Sequence, residues 1–209
     1  MVNRIFKQFL FGIQNSLREL IKFRRVNVKR INYVLTLDIA YKNDIGIAVG
    51  VVYDIKNKTT VEKIHVKDKV KFPYIPGLLF FREAPLMLEV IRRIKSHYDL
   101  ILVDAHGYAH PRRMGLATVI GIITKKPTIG IAKSILVGQL KKIDDKISEI
   151  VDKNELIGYE IKGDRKFYVS PGSNIDFDST LEFIKMLDFK YPEALRIADR
   201  LSKQYKNDI

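Results

Sequence analysis

The chain has 209 residues, 46% of them hydrophobic, enough for one sizeable core, and no apolar run long enough to span a bilayer. It has no cysteine and only four histidines (His65, His97, His106 and His110), which excludes disulfides and thiolate sites and leaves carboxylates as the main ligands of any metal, a set suited to Mg²⁺ or Mn²⁺ rather than zinc. The 37 Lys and Arg against 24 Asp and Glu give a net charge of +13, which draws polyanions, nucleic acid first, although a Lys-rich surface also serves solubility alone.

The first segment, "RIFKQFLFGIQNSLRELIKFRR", is basic and poor in acids. Ile5, Phe6, Phe9, Ile13, Leu17, Leu20 and Ile21 fall at helical spacing, with Arg4, Lys7, Arg18 and Lys22 elsewhere, so residues 1–25 are expected to form a helix packed on its own domain. A transit peptide or a membrane-surface helix would share this composition.

"YVLTLDIAY" (33–41) reads as a central strand, largely apolar and β-rich, followed after a short turn by "DIGIAVGVVYD" (44–54) and a third strand near 60–66. Three strands on tight connections make an antiparallel meander. A helix over 82–97 follows, with Leu86, Leu88, Val90, Ile91 and Ile94 on its apolar side. Then come the buried strand "DLILVDA" (99–105), a helix over 113–124 and the buried strand "PTIGIAK" (127–133), an alternation that implies parallel pairing through crossovers. Past Gly138 a charged connector leads to a hairpin of "ELIGYEIK" and "KFYVS", and to helices over 177–187 and 192–205. No repeat or linker divides residues 1–209, so the expectation is one α/β domain: a mixed central sheet, antiparallel meander plus parallel strands, flanked by helices.

Three carboxylates stand where desolvation penalises them. Asp38 interrupts an apolar strand, Asp104 ends another at the carboxyl edge where α/β sheets gather ligands, and Glu83 lies at the start of a helix. Singly, each has a structural reading: Asp104 can cap the turn through "AHG", and Asp38 can pair with a lysine such as Lys133. Together, in a basic chain without sulfur ligands, they favour metal-assisted phosphodiester hydrolysis. A meander with an Asp on its first strand, a helix Glu and an Asp on the fourth strand resembles the RNase H-like nuclease fold. That fold usually adds a late-helix acid, for which Asp199 in "EALRIADRL" is the candidate.

The blocks "FPYIPGLLFFREAP", "ILVDAHGYAHPRRMGLAT" and "PTIGIAKSILVG", with "LTLDIAY" and "FYVSPG", resemble those of the endonuclease V family, from about residue 33 to 201. The resemblance implies a DNA repair endonuclease that recognises deoxyinosine and hydrolyses the second phosphodiester bond on its 3′ side, leaving 3′-hydroxyl and 5′-phosphate ends. It implies Mg²⁺, with Mn²⁺ able to substitute, held by Asp38, Asp104 and Glu83. His110 is implied in proton handling or electrostatic help, Lys133 as a fixed charge for the phosphate, and Asp199 as the late acid. Pro73, Tyr74, Ile75 and Pro76 match the family's wedge into DNA, and Gly77, Leu79, Ala105 and Leu116 its base pocket. Two departures stand out: Ala105 where glycine is common, and Ser173 after "SPG" where relatives often carry His. A cytoplasmic monomer is expected. The alternatives are an inosine-specific endoribonuclease and a protein that binds a lesion or single strand without cutting.

Overall fold

The apolar run that Asp38 interrupts becomes an interior strand of a nine-stranded sheet in a computed structural model that describes residues 3–208. Strands β1 (Tyr33–Lys42), β2 (Ile45–Asp54) and β3 (Thr59–Lys69) form the expected antiparallel meander. Strand β4 (Leu100–Val103) pairs in parallel with β1, setting Val34–Leu37 against its four residues, and β5 (Thr128–Ala132) pairs in parallel with β4. Both β4 and β5 are buried throughout, which is why their sequences show no polar alternation.

Helices α2 (Leu79–Arg93) and α3 (Leu116–Thr124) cover one face of the sheet, packing on Leu35, Leu37, Ile101 and Val103. Helices α4 (Phe177–Met186) and α5 (Glu193–Asn207) lie on the other, where the α4 residue Phe183 and the α5 residue Leu195 join Val34, Leu100 and Leu102. The two-residue period of a strand therefore sends the even-numbered side chains of β1 towards α5. Thr36 confirms this parity, its buried hydroxyl donating to the Ala194 carbonyl of α5 at 3.1 Å.

Three expectations need correction. The charged connector contains two strands, so the hairpin is the second half of a four-stranded antiparallel unit: β6 (Gln139–Lys142), β7 (Ile147–Asp152), β8 (Glu155–Lys162) and β9 (Lys166–Pro171), with β9 against β5. All four residues of β6 are exposed at the sheet edge, so no buried face imposes an alternating pattern there. Helix α3 begins at Leu116 rather than near 113 because Arg113 sits in the left-handed region, φ 59°. Its buried guanidinium bridges Asp152 and Glu155, both at 2.8 Å, tying this turn to the β7–β8 hairpin.

The third correction concerns the first helix. Residues 1 and 2 lie outside the described residues; α1 runs Arg4–Arg18, well short of 25. Ile5, Phe6 and Phe9 are 78%, 46% and 60% exposed, so the first half of the apolar row read from the sequence does not face the protein. The buried row is Leu10 and Gln14, continued by half-buried Leu17 and Ile21 against the α2–α3 core. The chain after α1 instead runs along the start of α4, with Asn174 N–H donating to Lys22 O at 2.6 Å and Asp176 N–H to Arg24 O at 2.9 Å. Ser173 is fully buried and accepts the Lys22 N–H at 3.1 Å, so its hydroxyl serves this junction. Among the described residues no helix is long and apolar enough to cross a membrane.

Candidate active site

The parallel register that ends at Leu37 and Val103 places the next residues, Asp38 and Asp104, side by side at the carboxyl edge of the sheet. The Asp104 N–H donates to Leu37 O at 3.0 Å, tying the residue after β4 to the middle of β1. Both carboxylates belong to the α5 side of the sheet, and α5 supplies Asp199 and Ser202 three residues apart, on one helical face. The Ser202 hydroxyl donates to Asp38 Oδ2. Oxygens of Asp38, Asp104 and Asp199 lie within 4.8 Å of one another, the one such group of possible ligands among the described residues. Lys133, just past β5, reaches Asp104 Oδ2 at 2.6 Å and Asp199 Oδ1 at 3.1 Å, and Lys203 reaches Asp199 Oδ2 at 2.6 Å.

Glu83 arrives from α2, on the opposite face of the sheet, and so lies outside this group although it lines the same cleft of about 380 Å³. Its Oε1 accepts the Tyr41 hydroxyl at 3.1 Å. Leu79 lines the cleft as well. The structure thus brings all four acids named from the sequence to one cleft, with Asp38, Asp104 and the late-helix Asp199 nearest one another because strand parity points both strand Asp side chains at α5.

The electrostatics fit a cation site. Burial pushes the Asp38 carboxyl up to about 6, the Asp104 and Asp199 charges adding to it against the Ser202 hydrogen bond and Lys133. Burial likewise pushes Glu83 up to about 7. Burial also works to raise Asp199, but hydrogen bonds from Lys203 and Lys133 outweigh it and leave this carboxyl below its ordinary value. Burial works against the charge of Lys133, yet its hydrogen bond to Asp104 raises it above the usual lysine value, so it stays cationic. Convergent oxygen-only donors that repel one another suit a hard divalent cation.

A pH dependence follows. Carboxylates must be deprotonated to ligate, so affinity for a divalent cation such as Mg²⁺ should rise as pH climbs from 5 to 8, through the values near 6 and 7 of Asp38 and Glu83, and level off above. Calorimetric titration with Mg²⁺ at several pH values checks this; affinity that is flat across the window contradicts it.

His110 does not join the acids. Its ring is buried, Nδ1 accepts the Arg112 N–H at 3.2 Å, and Nε2 lies 3.7 Å from where a Cβ on Gly77 would stand. Burial, then the Arg112 charge, push it down to about 3, so the imidazole is neutral near pH 7. The wedge segment is presented openly: the Tyr74 side chain is 69% exposed, with Pro73 and Pro76 exposed and Ile75 half-buried beside it. Of the four residues expected to form a base pocket, Gly77 (φ 78°) and Leu79 are partly accessible, whereas Ala105 and Leu116 are buried in the α2–α3 core.

Sequence reasoning missed Ser202, Tyr41, Gln14 and Arg112. Ser202 was findable, three residues after Asp199 on a helix. Tyr41 shares the α2-facing parity of β1, a cue visible only once that face is known. Gln14 interrupts the row Leu10–Gln14–Leu17–Ile21, and a polar residue in an apolar row is the signal that its amide is satisfied inside.

A family model described as endonuclease V matches residues 15–200. The endonuclease V of Sulfolobus acidocaldarius is 42% identical over 199 residues, covering 95% of each chain. Among solved structures, the endonuclease V of Bacillus subtilis is 28% identical with a TM-score of 0.88, covering 96% of this chain and 92% of that one. Ciona intestinalis endonuclease V, in complex with a 24mer DNA containing an inosine followed by a ribo-adenosine, shares the fold with a TM-score of 0.86 at 22% identity, over 99% of each chain.

Proposed function

The chain belongs to the endonuclease V family, and from that premise we propose that it is a Mg²⁺-dependent endonuclease acting on deoxyinosine in DNA. The observation that carries the reading is the convergence of Asp38, Asp104 and Asp199 within 4.8 Å, next to cationic Lys133, in a chain of net charge +13. Mn²⁺ substitutes for Mg²⁺ at such a donor set, with Glu83 at its margin.

The basic surface gathers the strand, and Tyr74 enters the duplex. Pro73 and Pro76 fix φ on either side of it, so little conformational freedom is lost when the ring inserts. Extruding a base costs a few kcal/mol, less for a mispaired one, and stacking on an aromatic ring returns about 1–3 kcal/mol. Leu79 in the acid cleft lies five positions after Tyr74, a span of less than about 20 Å even when extended, so wedge and acids act on one stretch of strand.

Hypoxanthine carries O6 and an N1–H where adenine carries an amine and a bare N1. Backbone groups around Gly77 and Leu79 offering N–H to the first and a carbonyl to the second reject adenine by leaving buried groups unpaired. Lys133 places its ammonium against the phosphate, while Ser202 and Tyr41 hold Asp38 and Glu83 in orientation. A divalent cation, when bound there, neutralises charge on the phosphate and acidifies the attacking water. His110, buried and neutral, packs beside the Gly77 backbone next to Arg112.

The test is strand nicking with labelled oligonucleotides bearing one deoxyinosine, matched RNA bearing inosine, and adenine controls. The expected product is a single nick at the second phosphodiester bond 3′ to deoxyinosine, with 3′-hydroxyl and 5′-phosphate ends. Cutting confined to RNA would replace the substrate, and binding without product would overturn the nuclease reading.

A further inference from the structure

The two sides of the proposed base pocket come from separate parts of the chain: Gly77 and Leu79 from the segment after the wedge, Leu116 from the start of α3. One side chain joins them. Gln14 of α1, fully buried, donates through Nε2 to the Gly77 carbonyl at 2.9 Å and to the Met114 carbonyl at 3.0 Å. Its Oε1 accepts from Arg112 Nε at 2.5 Å, and Arg112 Nη2 returns to the same Gly77 carbonyl at 2.7 Å. The Arg112 guanidinium lies 3.9 Å over the Phe11 ring, one helical turn from Gln14, which fixes its plane.

This arrangement explains what packing does not. The first half of α1 leaves Ile5, Phe6 and Phe9 exposed, yet α1 sinks a primary amide completely into the protein. A buried amide is costly unless its donors and acceptor are paired, and here the two donors end on carbonyls of two separate loop segments. Gly77 itself has no room for change: a Cβ there would stand 2.5 Å from Arg112 Nη2, at a positive φ that L side chains disfavour.

We propose that Gln14, acting with Arg112, is a positioning residue that staples Gly77 to Met114 and thereby sets the width of the base pocket and its discrimination of hypoxanthine from adenine. The inference rests on the proposed reading of that pocket as the base site. Gln14 carries no charge, so a contribution through phosphate attraction is separable from it.

The experiment uses the full chain with Gln14→Leu, which keeps the bulk and removes all three hydrogen bonds. Gln14→Glu stands beside it, keeping the acceptor for Arg112 and losing the donors to both carbonyls. Hydrogen exchange of backbone amides over residues 75–79 in the nucleic-acid-free protein should quicken roughly tenfold in both. The ratio of kcat/KM for deoxyinosine over deoxyadenosine strands should fall by on the order of 10²-fold, as misplacement of a positioned group does, with the global unfolding temperature retained in at least Gln14→Glu. Wild-type exchange and a wild-type ratio in that folded variant would overturn the staple. If the wild type itself fails to nick deoxyinosine, the function reading falls, while the exchange measurement still decides whether Gln14 holds the two segments.

Discussion

Asp104→Asn, with Asp38→Asn beside it, should yield a folded protein whose single-turnover cutting falls on the order of 10³-fold or more. Asparagine keeps the shape and removes the charge that holds a divalent cation, whose contribution to a phosphodiester transition state is several kcal/mol, and each 1.36 kcal/mol is a factor of ten. The two variants differ in a way that distinguishes lost chemistry from lost folding. In Asp104→Asn, Lys133 loses the closer of its two carboxylate partners. In Asp38→Asn, a buried negative charge disappears while the Ser202 hydroxyl keeps an acceptor. Because the Asp38 carboxyl is raised from an ordinary 3.8 to about 6, its contribution to stability is fully present below about pH 4 and is lost as pH rises through 6. Asp38→Asn should therefore be more stable than the wild type in chelator at pH 7, by about 1–3 kcal/mol, and equal to it near pH 4. Thermal melts at the two pH values read this directly. A destabilised Asp38→Asn at pH 7 would mean that the site is a structural ion-pair network.

Tyr74→Ala should weaken binding to a deoxyinosine duplex by about 10–100-fold, the equivalent of one lost aromatic stack, with Tyr74→Phe close to wild type. The ring is 69% exposed, so the melting temperature should not move. The loss should be larger for duplex than for single-stranded substrate, since only the duplex has a stack to be filled. Equal losses on both would assign Tyr74 to general strand contact.

The sequence made the catalytic edge legible for a local reason. Asp38 and Asp104 are charges set in apolar strands, and such a cost shows in one dimension. Pro73-Tyr74-Ile75-Pro76 was legible as an irregular segment, since it fits neither a helix nor a strand, while its reading as a wedge comes from the family resemblance alone. Asp199 was harder: on the amphipathic α5 a carboxylate could as well face water, and only the sheet's parity brings it beside Asp38 and Asp104. That His110 is buried beside Arg112, away from the acids, was hidden because burial is a property of the fold and not of "YAHPRR". The outer part of the sheet was hidden for the opposite reason. An exposed edge strand such as Gln139–Lys142 carries no buried side to write a pattern, and the charges of Ile147–Asp152 read as a connector. The phase of α1 was misread because its exposed Ile5, Phe6 and Phe9 outweigh Leu10 and a single glutamine in any count of apolar spacing.

The measurement that bears most directly on the central claim, three convergent carboxylates making a cation-dependent nuclease specific for inosine, is a single-turnover Mg²⁺ titration. It would follow one deoxyinosine strand and its adenine control with wild type, Asp38→Asn and Asp104→Asn. The expected result is a nick that is absent in chelator, saturates with Mg²⁺, spares the adenine strand and is lost in both variants. Nicking that survives chelation, or that proceeds at the wild-type rate in the variants, would contradict the account.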